Sequence, residues 1–128
     1  MVLDTSAIIA ILLQEDGYER LLEALDGAGG VFVGAPTLLE AGMVLSSHLG
    51  QDARPVLLAF LRRLDAEVIP FGEHHVDAAT GAFLRFGRSR HPAGLNFGDC
   101  MSYAVAALAG MPLLFTGADF SQTDIQSA

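Results

Sequence analysis

Met1-Val2-Leu3-Asp4-Thr5-Ser6-Ala7-Ile8 decides the fold. Met1-Val2-Leu3 reads as a short buried strand, and Asp4 stands where that strand should end. Thr5 onward reads as a helix start, with the apolar helix itself over residues 6–13. A strand passing straight into a helix opens an α/β unit, and open sheets of that kind bind ligands outside the carboxyl ends of their strands. Asp4 is a carboxylate at that position. Two questions follow: whether strands and helices go on alternating, and whether other acids reach the same edge.

The alternation continues. Tyr18, Leu21, Leu22 and Leu25 recur at helical spacing, and the Asp26-to-Gly30 stretch ends that helix. Val31-Phe32-Val33 is a second strand, apolar throughout as a parallel strand covered on both faces should be. Pro36 and Thr37 open a helix to about Leu49, with Leu38, Leu39, Gly42, Met43 and Leu45 expected on its buried side. A further helix from Asp52 or Ala53 runs through Leu57, Phe60, Leu61 and Leu64, three of which (Phe60, Leu61, Leu64) read as core. Residues 67–71 form a third strand, 73–86 a helix, 87–95 a loop, 96–109 a helix stopped by Gly110, and 112–116 a fourth strand. Asp124-Ile125 could add an edge strand. The pattern predicts an α/β fold, a three-layer sandwich around a mainly parallel sheet of four to five strands, and one domain over 1–128.

Composition narrows the function. The chain is 52% hydrophobic, which excludes a disordered segment. No secretory signal is read at its start, and the longest apolar stretch, Cys100 to Phe115, is broken by Gly110 and Pro112 before it could cross a bilayer. The single cysteine fits a reducing cytoplasm. All seven basic residues are arginine, so chemistry through a lysine nucleophile or a P-loop lysine is excluded. A net charge of −8 disfavours sequence-blind binding to nucleic acid, yet allows an enzyme that holds phosphates through cations.

Three acids join Asp4 as candidates. Glu40 is the only charged residue between Gly27 and Ser47, Asp99 lies among Phe97, Gly98, Cys100 and Met101, and Asp119 follows the fourth strand as Asp4 follows the first. Each has a local explanation. Asp4 could cap the first helix, with Thr5 as a rival for that place; Thr37-Leu38-Leu39-Glu40 matches a capping box, and Asn96-Phe97-Gly98-Asp99 a looser one. Asp119 could cap a terminal turn. Four carboxylates on one edge would disfavour one another's ionisation, and helix N-termini would offset only part of the charge. A cation would resolve this. Oxygen donors without a His or Cys partner suit Mg²⁺ or Mn²⁺, and His48, His74, His75 and His91 show no zinc spacing. A metal held by carboxylates suits phosphoryl chemistry.

The segments around Asp4-Thr5-Ser6-Ala7, Glu40, His91-Pro92-Ala93-Gly94-Leu95-Asn96-Phe97-Gly98-Asp99-Cys100 and Leu113-Leu114-Phe115-Thr116-Gly117-Ala118-Asp119-Phe120 together resemble the PIN domain. More narrowly, they resemble the VapC toxins of bacterial type II toxin–antitoxin pairs. The resemblance spans the chain in order, and the segment from His91 to Asp99 is its most specific part. It implies a Mg²⁺- or Mn²⁺-dependent endoribonuclease in which Asp4, Glu40 and Asp99 are principal metal ligands or their water-mediated partners and Asp119 completes the catalytic site. Thr5, Ser6, Asn96 and Thr116 would support the ligands or contact phosphate. Metal-activated water would attack the phosphodiester, leaving a 5′-phosphate and a 3′-hydroxyl. The family also implies a homodimer and a VapB-like antitoxin whose C-terminal segment blocks the site.

RNA as substrate needs cations somewhere. Arg85, Arg88 and Arg90 cluster beside Phe83, Phe86 and His91, just before the loop to Asp99. Arg85 reads as the complement of a helix C-terminus, and Arg88 and Arg90 as groups that grip RNA phosphates. Cys100 reads as a small buried helix residue. Two rivals stand beside the nuclease. Aspartyl-phosphate chemistry generally needs a lysine, which is absent, and a second aspartate in the Asp4-Thr5-Ser6 segment, which is missing. A non-catalytic PIN-like module binding an antitoxin or RNA would have no need of the acids.

Overall fold

The computed structural model describes residues 1–128 and confirms the three-layer arrangement. In chain order the elements are β1 (Val2–Leu3), α1 (Thr5–Leu13), α2 (Tyr18–Asp26), β2 (Phe32–Gly34), α3 (Ala35–Leu49), α4 (Arg54–Arg63), β3 (Glu67–Ile69), α5 (Glu73–Phe86), α6 (Phe97–Ala109) and β4 (Leu113–Leu114), followed by a 3₁₀ turn at Phe120–Gln122. The strands are all parallel, in the order β3-β2-β1-β4.

Strand alternation builds the two cores. Successive side chains of a strand face opposite sides. Leu3, Val33 and Leu114 pack with α1 to α4, whereas their neighbours Val2, Phe32 and Leu113 pack with α5 and α6. A one-residue slip of β1 would exchange these two sets, so the register is fixed by both layers at once. The chain winds from β1 through β2 to β3 on one side, then returns to place β4 on the other side of β1. The point where winding reverses lies between β1 and β4, and Asp4 stands at its carboxyl end, its N–H donating to Leu114 O at 2.9 Å.

Several expectations shift in detail. Helix α1 starts at Thr5, with Asp4 rather than Thr5 as the N-cap: the Asp4 side chain accepts from Ser6 N at 2.9 Å. Helix α3 starts at Ala35, directly after β2, because Pro36 occupies the first turn where no amide donor is needed. Its buried stripe differs from the expected one, running through Thr37, Ala41 and Leu45. Ala41 and Leu45 are buried, while Leu39 and Met43 are 65% and 64% exposed. Strand β3 ends at Ile69 and is the open edge of the sheet, with Val68 exposed. The expected edge contribution of Asp124-Ile125 falls two residues later. Leu113 donates to Gln126 O at 2.8 Å and accepts from Ala128 N at 3.0 Å, a single bridge, while Asp124 is engaged elsewhere.

Candidate active site

Three helix starts meet at the carboxyl edge of the sheet. Asp4 is only 4% exposed, and its Oδ2 accepts from both the amide and the hydroxyl of Ser6, at 2.9 and 2.6 Å. The same Ser6 hydroxyl accepts from Thr116 N at 3.0 Å. Ser6 thus ties the end of β1 to the segment after β4 across the reversal point. Thr116 contributes here through its backbone.

Glu40 is not part of a capping box. With α3 starting at Ala35, it lies beyond the first turn, and Thr37 turns inward to a buried hydroxyl pair with Ser102 at 3.0 Å. Glu40 instead receives a hydrogen bond from the Thr5 hydroxyl on its Oε1. Its carboxylate also lies against Gly98, where a Cβ would collide with both of its oxygens. Glycine is a poorer helix former than alanine, by about 1 kcal/mol in a helix interior. At Gly98 that cost makes room for an acid from another helix, beside Asp99. This was the detail that sequence reasoning missed; an unexplained glycine between a cap and an acid was the signal for it.

The Asn96–Asp99 capping box is present as expected. Asp99 N donates to Asn96 Oδ1 at 2.8 Å, and Asn96 N donates to Asp99 Oδ2 at 3.0 Å. Asn96 therefore orients Asp99. Asp119 is exposed, begins the 3₁₀ turn, and makes no side-chain cap. Asp99 feels the other three: burial first, then repulsion from Asp4, Asp119 and Glu40, pushes its pKa up to about 6, against the opposing pull of the Asn96 amide. No cation answers them, since the only ion pairs are Arg54–Asp52 and Arg85–Asp124.

The free acceptor atoms define what could bind. Asp4 Oδ1, Glu40 Oε2, Asp99 Oδ1 and both Asp119 oxygens accept no hydrogen bond from the protein. A set of anionic oxygens without nitrogen or sulfur donors fits a hard divalent cation. The acids form an open rim rather than a closed cage: no three Asp, Glu, His or Cys groups stand close enough to chelate one ion as arranged.

The arginines divide. Arg85 pairs with Asp124 at 2.8 Å and lies over the Phe86 ring, a structural role. Arg88 and Arg90 are exposed and unpaired; Arg88 lines a cavity beside α6, and Arg90 lies 5.1 Å over the Phe83 ring. Cys100 is buried, its thiol pushed up by desolvation and by Asp99, so it is a poor nucleophile.

Comparison with known proteins identifies the family. The PIN domain family profile matches residues 1–126. Ribonuclease VapC36 of Mycobacterium tuberculosis is 42% identical over 127 residues, covering 98% of this chain and 91% of that protein. Ribonuclease VapC of Mycolicibacterium smegmatis is 39% identical over 125 residues, covering 98% and 97%. Among solved structures, M. tuberculosis VapC20, a sarcin–ricin loop cleaving toxin, superposes with a TM-score of 0.79 at 19% identity, covering 99% of this chain and 97% of that one. A toxin–antitoxin complex from Klebsiella pneumoniae gives 0.69 at 17% identity, covering 96% and 92%. No helix is long and apolar enough to cross a membrane. With the family profile matched almost end to end and relatives near 40% identity over nearly their full length, the chain belongs to the PIN-domain family, in its VapC branch.

Proposed function

We propose that this protein is the toxin of a type II toxin–antitoxin pair, a single-domain Mg²⁺- or Mn²⁺-dependent endoribonuclease acting in the cytoplasm. The observation that carries the catalytic reading is the Glu40 cradle. A carboxylate from α3 is held by Thr5 of α1 and admitted by Gly98 of α6, beside an Asp99 whose charged form is disfavoured by burial and then by its acidic neighbours. Such an arrangement costs stability and gains from a bound cation.

Asp4, Glu40, Asp99 and Asp119 would hold the ion, directly or through water. When bound, the ion supplies an activated water and neutralises charge on the phosphate. The chain's own groups do the positioning. Ser6 and Asn96 fix the carboxylates of Asp4 and Asp99, and Thr5 fixes Glu40. The exposed Arg88 and Arg90 draw RNA phosphates toward an otherwise acidic surface. The relatives' name, ribonuclease, and the toxin–antitoxin complex among the structural neighbours support RNA as substrate and a VapB-like antitoxin as partner. A homodimer is part of the same proposal.

The open spacing of the acids is the one observation that favours a non-catalytic binding module. Antitoxin-free protein incubated with a broad RNA panel decides between the two. Cleavage with Mg²⁺ or Mn²⁺, abolished by EDTA and by Asp4→Asn or Asp99→Asn, is the expected result, with 5′-phosphate and 3′-hydroxyl ends. No cleavage across the panel favours the module, and activity surviving both substitutions overturns the site assignment.

A further inference from the structure

Beside the acidic rim, on the other flank of the first turn of α6, lies an apolar cavity of about 700 Å³. Phe71, Val76, Phe83 and Leu95 line it, Phe97 forms its lip, and Arg88 reaches it from the loop after α5. Phe97 is 83% exposed. An exposed apolar side chain alone carries no message. This one sits between Asn96 and Asp99, so the turn that presents the carboxylate also presents the ring. The cavity falls within the ~300–1,000 Å³ of small-ligand clefts, room enough for a nucleobase with its ribose.

Charge selects the occupant. Arg88 lines the cavity and Arg90 lies over the ring of its Phe83, neither with a carboxylate partner, in a chain of net charge −8. An apolar segment of a partner protein would cover the Arg88 guanidinium and leave it uncompensated, which is costly. A nucleotide brings an aromatic face for Phe97 and a phosphate for the arginine, the two features by which unpaired RNA is held. We propose that Phe97 and the cavity behind it receive an unpaired nucleobase next to the phosphodiester that is cut. This rests on the nuclease reading for the identity of the neighbouring phosphate. It assigns Phe97 as a substrate-binding residue.

The chain has no tryptophan, so Phe97→Trp introduces one indole while keeping a stacking face. Its fluorescence is read in EDTA against a single-stranded RNA oligonucleotide, the same sequence as duplex, and a series carrying one abasic position at each step. Expected are quenching by the single strand only, and its loss at one abasic position. In parallel, Phe97→Ala lowers kcat/KM about tenfold with an unchanged melting temperature, the loss of one base–aromatic stack. Equal quenching by duplex, or insensitivity to every abasic position, overturns the proposal. So does wild-type cleavage by Phe97→Ala, including the case in which that variant instead loses self-association or a bound protein partner. Position-specific quenching by a protein that cuts no RNA supports the base subsite while refuting the nuclease reading.

Discussion

Asp99 and Asp124 are the same residue in opposite situations. Asp124, in the C-terminal tail, accepts from the Tyr103 hydroxyl and from Arg85, and both bonds hold its carboxyl below the ordinary range. Asp99, at the start of α6, is partly buried among three other acids and is pushed up to about 6. One acid is satisfied by the fold and ties the tail to α5 and α6. The other is left unsatisfied by the fold, with one oxygen bonded to a backbone amide and the other free. Under the proposed nuclease reading, the free oxygen of Asp99 is the position left open for a cation, whereas Asp124 has its cation within the chain.

The sharpest way to break this contrast is to remove each charge in turn. Asp4→Asn and Asp99→Asn should each lower RNA cleavage by more than the ~10–100-fold that follows loss of a metal's outer-shell partner, whereas Asp124→Asn should cut at the wild-type rate. Equal losses in all three, measured with Mg²⁺ on one RNA, would dissolve the distinction. Gly98→Ala comes next. The added methyl displaces the Glu40 carboxylate, which can swing away because its side chain is flexible, so the fold should survive while activity falls about 10–100-fold. A rate within twofold of wild type would mean that the position of Glu40 does not matter.

These residues also separate what the sequence could reveal from what it could not. The sheet was legible because β1, β2 and β4 are short apolar runs bounded by turns, and a strand–helix alternation admits few arrangements. Asp4 and Asn96–Asp99 were legible because caps follow local rules, and both caps formed. Glu40 was misread locally. Thr37-x-x-Glu40 satisfies the capping pattern, but Pro36 and the abrupt end of β2 moved the helix start to Ala35, and tertiary partners claimed both residues: Ser102 for Thr37, Thr5 for Glu40. Leu39 and Met43 were misplaced for a different reason: the buried stripe of α3 runs through Thr37, Ala41 and Leu45, and apolar character alone did not show which stripe faces the core. The pairing of Arg85 with Asp124, 39 residues apart, has no local signature at all.

A smaller effect tests the other side of the comparison, the cations near the rim. Charge reversal at Arg88 and Arg90 should weaken RNA cleavage about tenfold at low salt while leaving metal affinity nearly intact, and should flatten the dependence of log affinity on log salt by about 1.4 if each holds one phosphate of a single strand. The same reversal at Arg85 should disturb the tail and leave that slope alone. If cleavage is unchanged by the double reversal, the patch has no part in the mechanism.

The smallest effect is one of stability, and its sign differs between the two acids. The folded pKa of Asp99 is raised from 3.8 to about 6, so its neutral form stabilises the metal-free fold. That contribution is fully present below about 4 and is lost as pH rises toward 6. A two-unit shift corresponds to ~3 kcal/mol at most, and solvent screening of a partly exposed carboxyl reduces it to about 1 kcal/mol. At pH 7 without metal, Asp99→Asn should therefore melt about 3–5 °C higher than wild type, with the difference closing near pH 4. Asp124 has a lowered pKa, so its contribution is present above about 4 and lost as pH falls through the folded value; Asp124→Asn should melt slightly lower at pH 7, since an exposed pair contributes ~0–1 kcal/mol. Saturating Mg²⁺ should then raise the melting temperature of wild type but not that of Asp99→Asn, reversing their order. Thermal melts of the three proteins at pH 4 and 7, with and without Mg²⁺, would show the crossing, and an Asp99→Asn variant that is less stable than metal-free wild type at pH 7 would place Asp99 with Asp124 among the acids that the fold itself requires.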